Sequence, residues 1–168
     1  MVRVLFALVA AAGVAGNAVA DGGAKVEPLT LLENGKIAGC GMMSSSARVI
    51  GEVIAFRQGT DTSFAIRARP VSGSSAVTSV RFTTASHDSA SLFPASTPIG
   101  DGIVETRAVL QGFTGPSFAQ ELMVMGGRFE IATVDGHTIS YDLPRPMPHR
   151  VRQAYLNCAG DLFRPEDE

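Results

Sequence analysis

The stretch RFEIATVDGHTISYDL, running from Arg128 to Leu143, decides the fold. Two runs of alternating apolar and polar residues flank Asp135-Gly136, and Gly takes a positive φ without penalty, so the pair marks a tight hairpin turn. Arg128 to Val134 and His137 to Leu143 are therefore expected to be antiparallel neighbours. The same period of two recurs upstream, as in half-buried strands. In TSFAIRAR (62–69), Phe64, Ile66 and Ala68 point one way, while Ala65, Arg67 and Arg69 point the other. In TSVRFTT (78–84), Val80 and Phe82 oppose Ser79, Arg81 and Thr83. In IVETRAVL (103–110), Val104, Ala108 and Leu110 oppose Glu105 and Arg107. VIGEVIAF (49–56) is apolar on both parities, which predicts a central strand. Strands punctuated by Gly, Pro, Ser and Asp define a mainly β fold, an antiparallel β-sandwich or open barrel.

Two segments break the period. Ser117 and Gln120 have the spacing of a capping box ahead of FAQELMVM (118–125), where Phe118, Leu122 and Met125 follow at helical intervals. This predicts one short internal helix. Near the end, Pro148 suits a first helical turn. Val151, Ala154, Tyr155 and Cys158 then share a face, and Gly160 can end the helix in the left-handed conformation. This predicts a C-terminal helix.

The chain opens with MVRVLFALVAAAGVAGNAVA, in which Arg3 precedes an apolar run from Val4 to Val14 and Ala18-Val19-Ala20 follows. That is the arrangement of a secretory signal peptide over residues 1–20, too short in its apolar run for the roughly 20 residues of a membrane span. Residues 21–168 then form a single β-rich domain, periplasmic or secreted, with no membrane span. The formal net charge is −2, and 12 of the 14 basic residues are Arg. A nucleic-acid partner would need a basic domain or stripe, so none is expected.

The two cysteines, Cys40 and Cys158, would both enter an oxidising compartment, where an even count favours pairing. Neither a Cys-x-x-Cys redox pair nor four zinc ligands are present. A structural disulfide is the expectation. It closes a loop of roughly 120 residues, for which chain entropy gives about 4 to 5 kcal/mol.

Candidate sites are few. His87-Asp88-Ser89 contains a base, an orienter and a hydroxyl, but triad members meet from separated segments and three adjacent residues form no relay. The surrounding ASHDSASLFPASTP reads as a solvated loop. No Gly-x-Ser-x-Gly elbow accompanies it. His87, His137, His149 and Asp88, with Met42, Met43, Met123, Met125 and Met147, are conceivable copper or zinc ligands, yet they share no ligand spacing and the methionines fall mostly in apolar segments. No catalytic residue, metal or cofactor is assigned. Arg145, Arg150 and Arg152 gather around the start of the terminal helix, where a guanidinium fork and free N–H groups suit an anion or a partner. Glu166, Asp167 and Glu168 stand ready to neutralise them in part.

The run GGRFEIATVDGHTISYDLP (126–144), followed by a helix bearing Ala154 and Tyr155, resembles the end of the invasion-associated locus B family over residues 126 to 156 or so. That resemblance implies a β-rich domain secreted to the bacterial cell envelope and linked, in some pathogens, to host-cell entry. It implies no catalytic residues. The expected function is a non-enzymatic secreted or periplasmic binding protein, its partner an envelope or host protein. The alternatives are a small periplasmic hydrolase built on loop residues near His87, and a copper- or zinc-binding protein.

Overall fold

A computed structural model describes residues 18–20, 24–58, 61–89, 95–110 and 114–163. Ten strands are found among them: β1 (Ala18–Ala20), β2 (Lys25–Glu33), β3 (Lys36–Ser45), β4 (Val49–Gln58), β5 (Asp61–Pro70), β6 (Val77–Thr83), β7 (Thr97–Gly100), β8 (Ile103–Leu110), β9 (Arg128–Thr133) and β10 (Thr138–Asp142). Two helices, α1 (Thr114–Met125) and α2 (His149–Leu162), complete the described elements. The strands form two sheets, ordered β1-β10-β9-β6 and β2-β3-β4-β5-β8-β7. Every pairing is antiparallel except β1 with β10. The architecture is β-sandwich-like, mainly β, and not a closed barrel.

The Asp135-Gly136 hairpin forms as the alternation requires, with Ile131 opposite Ile139 and Phe129 opposite Tyr141. Gly136 has φ 81°, the left-handed conformation that the turn needs. Doubly apolar β4 lies inside the larger sheet between β3 and β5. Its Val53 is flanked by Met42 and Ile66, and all three are buried in the core.

The smaller sheet carries a run of aromatic side chains that Phe118 links to the larger sheet. Phe82 of β6 lies 4.7 Å from Phe129, which lies 5.3 Å from Tyr141. Phe118 of α1 reaches both sheets, with its ring 4.9 Å from Phe64 and 6.4 Å from Phe82. Small residues make this approach possible. A Cβ on Gly51 would fall 2.5 Å from the Tyr141 hydroxyl and 2.9 Å from Phe129. That hydroxyl lies 3.0 Å from Ser44 Oγ, which itself donates to the Gly51 carbonyl, so a buried polar chain is closed between the sheets.

The outward face of the larger sheet is held by charge. Arg67 pairs with Glu105 at 2.6 Å across β5 and β8, and the Arg107 guanidinium lies 4.3 Å above the Phe56 ring. Burying the arginine stems in this way covers the sheet without a third layer.

The helices differ in detail from expectation. Helix α1 begins at Thr114, so Ser117 lies inside it and does not cap it. Met123 is buried, whereas Met125 is 48% exposed, because α1 turns Phe118, Leu122 and Met123 inward. Helix α2 follows Pro148 and buries Val151, Tyr155, Cys158 and Leu162. It continues through Gly160, which is not left-handed, and ends at Phe163, whose N–H bonds to the Ala159 carbonyl. Of the expected signal peptide, residues 1–17 lie outside the described residues, while β1 lies alongside β10 with Val19 opposite Ile139. Among the described residues, no helix is long and apolar enough to cross a membrane.

Candidate binding groove

Helix α2 packs on β2 and β3, and α1 rests against β5. The first contact is covalent: Cys40 of β3 and Cys158 of α2 form a disulfide with Cα atoms 5.7 Å apart, and neither cysteine is free. Helix α1 is placed by Phe118 in the core and by the Met147 N–H, which bonds to the Met123 carbonyl at 3.2 Å. The two helices are thus fixed separately, and a groove of about 650 Å³ separates them.

Phe64 and Thr62 of β5 line this groove, with Met123 and Val124 on the α1 side and Tyr155 and Leu156 on the α2 side. Ala119 and Ala159 also line it, and their short side chains leave its interior open. Val124 is 49% exposed, Leu156 62% and Phe163 39%, so the apolar surface continues onto the rim. Large apolar side chains exposed together mark a surface that gains from being covered.

Arg152 also lines the groove. Its Nε is buried and has no hydrogen-bond partner among the described residues. Arg152 carries the only charge among the described lining residues. Tyr155 is 8% exposed, and burial pushes its phenol up to about 12, so it stays a protonated donor.

The three arginines close in sequence have different surroundings. Arg145 lies 3.7 Å from Asp142, and Arg150 lies 3.9 Å from Glu27, both on exposed surface. Arg152 alone reaches the groove. The acidic residues Glu166, Asp167 and Glu168 lie outside the described residues.

His87, Asp88 and Ser89 each turn to a different partner, and residues 90–94 of the expected solvated loop lie outside the described residues. His87 Nδ1 meets Glu121 of α1 at 2.6 Å, and its ring stands edge-on to Phe118 at 5.6 Å. Asp88 takes two hydrogen bonds from Arg81. Ser89 is 4% exposed, and its Oγ accepts the Phe82 N–H at 2.7 Å. The loop is pinned because Glu121 also accepts the Ser86 N–H at 2.5 Å. Burial raises the Glu121 pKa, but hydrogen bonds from His87, Ser86 and Thr84 outweigh it, so the net shift is downward. A recess on this flank of α1 is bordered by His87, Glu121 and Val124. Sequence reasoning missed Glu121 because it lies on another element.

His137 is exposed beside the hairpin turn, and His149 is exposed at the first position of α2. Asp135 is held by hydrogen bonds from Ser75 and Thr133, which bring its carboxyl down to about 2. Met42 and Met147 are sealed in the core. No group of three or more His, Cys, Asp or Glu side chains comes together among the described residues.

No protein-family model, curated protein or solved structure matches the chain. Fold and site together define a disulfide-stapled, two-sheet β-sandwich-like domain with an apolar groove between two helices.

Proposed function

We propose that this protein is a non-enzymatic binding protein of the bacterial cell envelope, periplasmic or secreted, and that the groove between α1 and α2 is its binding surface. The observation that carries the reading is the apolar cleft of about 650 Å³ whose α2 wall is fixed by the Cys40–Cys158 bond. Its size falls within the range of roughly 300–1,000 Å³ typical of ligand sites. A structural disulfide suits an oxidising compartment. The signal-like residues 1–20 and the envelope-family resemblance of residues 126–156 agree with that location.

Site-specific photocrosslinking in the living envelope tests the reading. A crosslinker at Leu156, on the groove rim, is expected to give an adduct, and one at Leu32, exposed at the end of β2, is expected to give none. Equal labelling at both positions, or none at Leu156, contradicts it.

The His87–Glu121 pair favours a second reading, a hydrolase in which Glu121 orients His87 as a base. Its test is turnover of an envelope substrate by the purified protein. Loss of that turnover in His87→Ala would establish it, and absence of turnover would remove it.

A further inference from the structure

We infer that the groove binds a single-chain amphiphile with an anionic head, its acyl tail between α1 and α2 and its head on Arg152 and Tyr155. The inference rests on the groove being the binding surface and names what fills it.

Three observations carry it. The walls are formed mainly by Phe64, Met123, Val124, Leu156 and two alanines, so methylene groups replace water there at a gain of roughly fourfold in affinity per buried methylene. The described polar lining groups are few, and Arg152 alone among them can only donate. Among the described residues Arg152 Nε is buried without a partner, and Tyr155 beside it keeps its phenol proton because of its burial. The two lie three residues apart on α2 and therefore on one face. A buried donor left unsatisfied is costly, and an anionic oxygen satisfies it with a charge-assisted bond. Among the described residues, no carboxylate lines the groove to compete for the guanidinium. A neutral tail alone leaves Arg152 unpaired, and a cationic head is repelled by it.

A partner polypeptide fits less well. Its backbone would bring donors and acceptors to walls that offer little beyond Gln120 and Thr62 to pair with them.

The test uses the oxidised mature protein with dodecanoate, dodecanol and dodecyltrimethylammonium, each below its micelle concentration. Calorimetry gives affinity, and methyl NMR locates the site through Met123 in the groove and Met42 in the core. Dodecanoate is expected to bind one to one and to shift Met123 but not Met42, with dodecanol at least about tenfold weaker and the cation weaker still. Arg152→Gln is expected to bring dodecanoate down to the affinity of dodecanol, and Arg152→Lys to restore part of the difference. The lysine variant also serves if the glutamine variant fails to fold. Equal binding of dodecanol and dodecanoate, or an Arg152→Gln variant with unchanged preference, overturns the anionic head while leaving the groove as a binding surface. Binding of none of the three overturns the amphiphile. A protein adduct from the Leu156 crosslinker would then keep the groove as a binding surface, and no adduct would remove that reading as well.

Discussion

Cys40 in the third strand and Cys158 in the terminal helix are joined across a sequence separation of 118 residues, and the same helix forms one wall of the groove. The fold therefore depends on a contact between near-opposite ends of the described chain. Thr30 of β2 donates to Cys158 Sγ at 3.5 Å, so the neighbouring strand is tied to the same point.

Replacing both cysteines by serine is expected to cost about 3 to 5 kcal/mol, measured by urea unfolding, because the unfolded chain regains the freedom of a very long loop. The oxidised, unfolded wild type should show no reactive thiol. A cost below about 1 kcal/mol contradicts the staple, since removing a native bridge of this kind removes several kcal/mol.

Gly51→Ala is expected to destabilise the domain by about 1 to 3 kcal/mol. The added Cβ would lie 2.5 Å from the Tyr141 hydroxyl and 2.9 Å from Phe129, both held in the core. Tyr141→Phe removes the bond to Ser44 without adding a clash and should cost about 1 kcal/mol. Thermal unfolding ranks the two variants, and the reverse order would show that the sheets yield easily at this point.

Acid should loosen the loop around His87 by way of Glu121. The Glu121 pKa is lowered in the folded protein, so its contribution is complete above its unfolded value near 4.5 and is lost as pH falls through the folded value. Glu121→Gln should therefore flatten the stability profile in that acidic range. Unfolding followed from pH 6 downward checks this, and an unchanged acid slope in the variant contradicts it.

A chain beginning at Asp21 is expected to keep the fold. Strand β1 is itself the edge strand and contributes only three residues, all paired with β10. Its removal should change the melting temperature by only a few degrees, as for a loss of about 1 kcal/mol or less. A molten or aggregated product would show that β10 depends on β1.

The hairpin at Asp135-Gly136 and the inner faces of β4, β5 and β6 were legible because apolar alternation is a local signal. Strands β2 and β3 were harder to see. Pro28 and the run of leucines blur the period of β2, and β3 carries Gly39 and Gly41 where apolar side chains would mark a face. The latter has a steric cause: a Cβ on Gly41 would collide with the Val53 carbonyl of β4. Asn34-Gly35 between them did carry a turn signal, and both residues have positive φ, 51° and 76°.

The disulfide followed from counting cysteines, whereas the groove could not be found that way. Its lining comes from β5, α1 and α2, and its openness depends on Ala119 and Ala159, which look ordinary in any one stretch. The arginines show the same limit. Their closeness in sequence suggested a cluster, but the helix turns Arg150 toward Glu27 and Arg152 into the cleft. His87 drew notice through its neighbours, yet its carboxylate comes from Glu121, 34 residues away.

Native mass spectrometry of the protein purified from its own envelope tests most directly whether this groove is a binding surface. The wild type is expected to carry a bound mass that Ala159→Trp, which fills the groove with an indole, loses while keeping its melting temperature. A bare wild type, or a bound mass retained unchanged by the folded variant, would contradict the account.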